Sequence, residues 1–166
     1  MVGHPRVTYS FNRTTGKYDV TVSVNLAFKS GTPRDHTAVR SAIVKHWGGV
    51  RGIYDVTVNL ADPSAPEYQV SILTDPTRVH GEGRSFGPGR GGYMTLWSPT
   101  GSMTGVSSTL VGHEFGHASG IGYHEAGNSI MNDPPGSTTD PATVGKIMAR
   151  CDAQRTDQDD EKSSRR

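Results

Sequence analysis

Residues 110–124 read Leu110-Val111-Gly112-His113-Glu114-Phe115-Gly116-His117-Ala118-Ser119-Gly120-Ile121-Gly122-Tyr123-His124. Two histidines four positions apart, with a glutamate directly after the first, form the pattern His-Glu-x-x-His. On a helix four residues advance by about 6 Å of rise and about 40° of rotation, so both imidazoles project to one side and can share a tetrahedral cation. Glu114 lies about 100° further round, where its carboxylate reaches a metal-held water without joining the ligands, the place of a general base. Leu110, Val111, Phe115 and Ala118 give the helix an apolar back, and Gly116 and Gly120 fall where close packing and a sharp exit are needed. The pattern predicts a helix that starts near residues 104–107 and ends at Gly120 in a left-handed cap.

Two histidines do not complete a catalytic zinc site, which takes three protein ligands and keeps one position for water. His124 is the best third candidate, because Gly120 and Gly122 let the chain turn back after the helix. Tyr123, Glu125 and Asp133 are the alternatives.

Working outward, residues 7–11 and 18–28 alternate in the manner of strands, with Val20, Val22, Val24 and Leu26 on one face. Arg13-Thr14-Thr15-Gly16 between them supplies turn chemistry, and the two runs read as an opening hairpin. Ala38, Val39, Ala42, Ile43 and Trp47 recur at helical spacing between Asp35 and the Gly48-Gly49 stop, which predicts an amphipathic helix packed on a sheet. His36 and His46 on that helix are expected at the surface or in caps. Residues 54–60 and 68–74 are two further strands. From His80 to Gly92 the chain carries Gly81, Gly83, Gly87, Gly89, Gly91 and Gly92, which reads as a long loop and lacks the Lys-Ser/Thr ending of a phosphate-binding loop. A short strand follows at residues 93–97. Beyond Pro134-Pro135-Gly136, residues 141–151 predict a second helix, with Val144, Ile147 and Met148 as its buried stripe. The expected organisation is a single domain over residues 1–151 and a charged, disordered tail over 152–166.

The 166 residues fit one domain with a sizeable core. Seventeen Lys and Arg against sixteen Asp and Glu leave a net charge of +1, which offers no field to gather nucleic acid or a membrane. Neither is expected as a partner. The one cysteine, Cys151, excludes an internal disulfide and any thiolate-rich metal cluster, so a metal must be held by His and carboxylate. No leader is visible near the start, where residues 2–10 alternate polar and apolar, and no apolar run spans a bilayer.

The segment resembles the metzincin signature HExxHxxGxxH/D, and Ser129-Ile130-Met131-Asn132 is similar to the Met-turn of that family. The resemblance covers residues 110–132. It departs from the pattern at one place: the family's third ligand falls at Tyr123, and His124 comes one residue later, an offset that a bulge at Ile121-Gly122 can absorb. The resemblance implies an α+β fold with a twisted, mostly parallel sheet, an antiparallel edge strand, a backing helix, an active-site helix and a C-terminal helix. It implies one catalytic zinc ion held by His113, His117 and His124, supporting roles for Met131, Gly120 and Tyr123, and a substrate-pairing edge strand at Tyr93, Met94, Thr95, Leu96 and Trp97. The glycine-rich stretch leading into this strand and then into VGHEFGH is also similar to C-terminal metallopeptidase domains of bacterial polymorphic toxins, including those on Rhs-type carriers. That likeness implies secretion or delivery from a bacterial cell and an immunity or inhibitor protein as partner.

The activity expected from these readings is hydrolysis of a peptide or protein substrate. Zinc polarises the scissile carbonyl and lowers the pKa of its water, and Glu114 takes the proton and hands it to the leaving amine. No rival nucleophile is indicated, since Cys151 has no His partner and no serine sits in a Gly-x-Ser-x-Gly turn. The alternatives are a zinc-bearing module of the same fold that cleaves nothing, and a structural domain in which the His-Glu-x-x-His string is accidental.

Overall fold

The alternation of Val20, Val22, Val24 and Leu26 becomes the spine of the molecule. The structure, a computed structural model, describes residues 4–86, 92–122, 124, 127–132 and 135–157. Within it this stretch forms β2 (Lys17–Ser23) and β3 (Asn25–Phe28), separated by Val24 alone. All four apolar side chains are buried, as one face of a strand requires. Strand β1 (Arg6–Asn12) pairs antiparallel with β2, Val7 opposite Val22 and Phe11 opposite Tyr18, which is the predicted hairpin. Asn12 organises its turn: the side-chain oxygen accepts from the amides of Thr14 and Thr15, and the carbonyl accepts from Gly16, which sits at φ +69°.

This spine serves two sheets. On its far side β2 pairs parallel with β5 (Tyr54–Asn59), outside which β4 (Gly49–Arg51) runs antiparallel. With β9 (Gln154–Arg155) parallel to β1, the first sheet has the order β4-β5-β2-β1-β9. At Val24 the neighbours change. The amides of Val24 and Leu26 donate to the carbonyls of Asn59 and Leu60, whereas Asn25 donates to Pro66 on the opposite side. There β3 pairs parallel with β6 (Glu67–Thr74), β6 with β8 (Tyr93–Ser98), and β8 pairs antiparallel with β7 (Glu82–Phe86).

Helix α1 (Pro33–Trp47) begins at a capping box: the Thr32 hydroxyl accepts from the Asp35 amide and the Asp35 carboxylate accepts from the Thr32 amide. Its buried apolar stripe is Val39, Ala42, Ile43 and Trp47, whereas Ala38, expected in that stripe, is exposed. Helix α2 (Ser108–Ala118) carries the His-Glu-x-x-His string and packs on α1. Helix α3 (Pro141–Arg150) starts at the Asp140 cap and buries Val144 and Ile147, with Met148 at the margin of the core. Among the described residues the fold is thus a mixed one, three helices and two mixed sheets in place of the single, mostly parallel sheet expected, and compatible with the expected α+β class. No helix among them is long and apolar enough to cross a membrane.

Three expectations about the strands and the tail need correction. The glycine-rich loop contains a strand: residues 82–86 form β7, because pairing with β8, not side-chain pattern, holds a strand whose second residue is glycine. It follows that residues 93–97 are not an edge. Strand β8 has β6 on one side and β7 on the other, and Met94 and Leu96 are buried. Lastly, the charged tail is not wholly free of structure, since Gln154–Arg155 pairs with β1 and the Thr156 amide donates to the Tyr9 carbonyl. Residues 158–166 lie outside the described residues.

Candidate metal centre

Helix α2 is placed by what it lacks. A Cβ on Gly116 would come within 2.2 Å of the Met131 sulfur and 3.0 Å of the Trp47 ring, and one on Gly112 within 2.9 Å of His46 Cβ. Glycine at both positions lets α1 and Met131 approach the helix backbone. The Trp47 indole N–H then donates to the Gly112 carbonyl at 2.8 Å, fixing the helix directly before His113. His46 is buried, contrary to expectation, with Nε2 2.9 Å from the Ser108 hydroxyl. Burial, with Lys45 and Arg51 nearby, holds it below the usual histidine range, as a neutral ring wedged under the first turn of α2.

The exit of the helix is a Schellman motif. Gly120, at φ +106°, donates to the His117 carbonyl and Ile121 donates to the Gly116 carbonyl. This reversal brings the Ile121 carbonyl to 2.6 Å from His117 Nδ1. His113 Nδ1 meets the Ile130 carbonyl at 2.8 Å. A carbonyl only accepts, so both Nδ1 atoms carry the proton, and in the neutral rings both Nε2 atoms are left with lone pairs. Those Nε2 atoms are 3.0 Å apart, and His124 Nε2 is 3.2 Å from that of His117. Metal–nitrogen bonds of about 2.0–2.1 Å in a tetrahedron separate ligand nitrogens by about 3.3 Å, so the spacing fits one cation shared by the three rings. Lone pairs that face each other at this distance repel unless positive charge lies between them. His113, His117 and His124 are therefore close enough to bind a metal ion together. Imidazole nitrogens suit zinc, copper, iron and nickel alike, so the donor set alone does not choose among these.

The residues singled out in the sequence fall into three groups. His113, Glu114, His117 and His124 converge on one cleft of about 690 Å³. Met131 packs against α2 at Gly116, and Gly120 turns the chain at the end of that helix. Met131 is fully buried in a turn closed by the Asn132 amide on the Ser129 carbonyl, and the Met131 amide donates to the Ser129 hydroxyl. Tyr123, and the alternatives Glu125 and Asp133, lie outside the described residues. Of the supposed substrate strand, Tyr93, Thr95 and Trp97 belong with Met94 and Leu96 to β8, one strand in from the rim.

What the sequence did not point to is the rim itself. Among the described residues strand β7 is outermost in its sheet, and it borders the cleft with Gly83, Arg84 and Ser85. The Ser85 hydroxyl donates to Glu114 Oε2 at 2.5 Å, and Glu114 is 5% exposed. Arg78 lies over the Trp97 ring and pairs with both Asp75 and Glu82, which ties the start of β7 to β8. An alternation of small residues entering the glycine-rich stretch, Gly83 and Ser85, was the one signal available. Cys151 stays clear of the site: it is buried, its thiol is pushed up to about 12 by that burial, and it donates to the Ser119 carbonyl. Compared with known proteins, the chain matches no family model and no curated sequence.

Proposed function

We propose that the chain is a zinc-dependent endopeptidase of metzincin type, with the ion held by His113, His117 and His124 and Glu114 as general base. The observation that carries this reading is the convergence of three imidazole nitrogens, 3.0 and 3.2 Å apart, in a cleft that also holds the Glu114 carboxylate. Three neutral ligands on the floor of an open cleft are the donor set of a catalytic rather than a structural zinc site. The Schellman exit of α2 and the buried Met131 behind it support the metzincin likeness, although His124 stands one residue later than that pattern has it.

A zinc ion so held supplies Lewis acidity, polarising a carbonyl and making a water easier to deprotonate. Glu114 takes the proton of the attacking water and returns it to the leaving amine, so no covalent intermediate on the protein is required. The carbonyls of Ile130 and Ile121 keep the two helix-borne imidazoles in the tautomer that leaves Nε2 for the metal. Strand β7 takes over the part expected of residues 93–97. As the outermost strand beside the cleft it offers main-chain groups to an extended peptide.

The test loads wild type and Glu114→Ala with one equivalent of zinc and follows cleavage of a mixed quenched-fluorescence peptide library. Wild type cleaves. The variant retains zinc and loses at least about 100-fold in rate, the lower end of general-base contributions. Equal cleavage by the two proteins contradicts the mechanism. Zinc binding without cleavage by wild type identifies a non-catalytic zinc-bearing module instead, and failure to bind zinc removes both metal readings.

A further inference from the structure

The register of β7 against β8 sets Gly83 opposite Leu96 and Ser85 opposite Met94. Paired residues point to the same side of a sheet, and Leu96 and Met94 are buried, so Gly83 and Ser85 face inward, toward α2. Both meet Glu114. A Cβ on Gly83 would come within 2.4 Å of Glu114 Cγ, 2.7 Å of Cδ and 2.9 Å of Oε1. The Ser85 hydroxyl donates to Oε2 at 2.5 Å, the short distance of an O–H bond to a carboxylate. The strand thus offers a gap and a donor two positions apart, and the carboxylate stands in the gap with one oxygen on the donor.

A glutamate side chain has three rotatable torsions, and a proton-transferring carboxylate works only in the orientations that face the reacting atoms. We infer that Ser85 is a positioning residue, whose hydroxyl holds the Glu114 carboxylate in its working orientation while Gly83 leaves room for it. This inference rests on the peptidase reading for its effect on rate, but the contact itself is independent of that reading. Strand β7 then has two roles, since the strand that borders the substrate cleft also orients the base.

The test measures kcat and KM on one quenched peptide chosen from the library by wild type. Ser85→Ala lowers kcat by about ten- to hundredfold, with KM and zinc affinity unchanged, because the loss is one of orientation rather than of binding. Ser85→Thr, which keeps the hydroxyl, recovers most of the rate. Wild-type kcat in Ser85→Ala, an effect confined to KM, or equal losses in Ser85→Ala and Ser85→Thr each overturn the inference. A second readout needs no activity: urea unfolding of Ser85→Ala, Glu114→Ala and the double variant, all without metal. A midpoint shift in the double variant that differs from the sum of the single shifts supports the contact, and strict additivity overturns it. If zinc-loaded wild type cleaves nothing, the peptidase reading fails by that result while the unfolding cycle still decides whether Ser85 holds Glu114.

Discussion

The two faces of α2 are built by opposite means. The back is made by subtraction: Gly112 and Gly116 remove side chains so that His46, Trp47 and Met131 can press on the helix backbone. The front is made by addition: His113, Glu114 and His117 project from it, and each is met by a group brought from another element or from the chain beyond the helix. His113 meets the Ile130 carbonyl, Glu114 the Ser85 hydroxyl, and His117 the Ile121 carbonyl. The difference teaches where stability and chemistry reside. Close packing, pinned by the Trp47 indole on the Gly112 carbonyl, holds the helix, and directed polar bonds aim its side chains, so substitutions on the two faces are expected to show up in different measurements.

The largest separation is expected on the front. His124 is exposed, and His124→Ala lowers zinc affinity by more than about 100-fold, beyond the usual cost of losing an outer-sphere partner, in competition with a chromophoric chelator. The metal-free variant unfolds within about 0.5 kcal/mol of wild type, as surface substitutions do. Unchanged affinity would mean that another residue completes the site. On the back, Gly116→Ala destabilises the metal-free protein by about 1–3 kcal/mol in urea, since the new Cβ falls on Met131 and Trp47, both of which are buried in the core. Gly122→Ala is its control. A Cβ there meets nothing within 4 Å and φ is ordinary, so the change stays within about 0.5 kcal/mol. Should the two alanines behave alike, the packing account of the back face fails.

A smaller effect tests how the helix is approached. Asp35 caps α1 and also accepts from the Met103 amide at 2.9 Å, tying α1 to the segment that leads into α2. Burial raises its carboxyl, but the bonds from Met103, Thr32 and Ser102 outweigh that and leave it below the usual aspartate range. A lowered folded-state pKa means that its contribution is fully present above the unfolded value of about 3.9 and fades as pH falls through the folded one. Asp35→Ala therefore costs about 1–2 kcal/mol at pH 7, the range of a lost helix cap. The cost shrinks in acid below pH of about 4, which unfolding curves at both pH values check.

The same contrast explains what could be seen before the structure. His113, Glu114 and His117 were legible because a helix converts spacing into direction, and Gly116 was legible as a close-packing position without naming what packs there, whereas Gly112 gave no such sign. His124 required only that the chain turn back at Gly120, and the turn at φ +106° does so. Strand β7 was hidden because its pairing partner, not its own residues, makes it a strand. With β7 unseen, residues 93–97 looked like the sheet edge. His46 looked like a surface histidine because nothing in α1 announces that Gly112, far along the chain, leaves a hollow for it. In each case the missing information was a contact between distant segments.

The central claim is that three imidazoles hold one ion. Zinc-edge X-ray absorption of the protein loaded with one equivalent of zinc addresses it directly. The account predicts a four-coordinate centre with three histidine nitrogens at about 2.0–2.1 Å and one oxygen, falling to two histidines in His124→Ala. Two imidazoles in wild type, or the same spectrum in the variant, would contradict it.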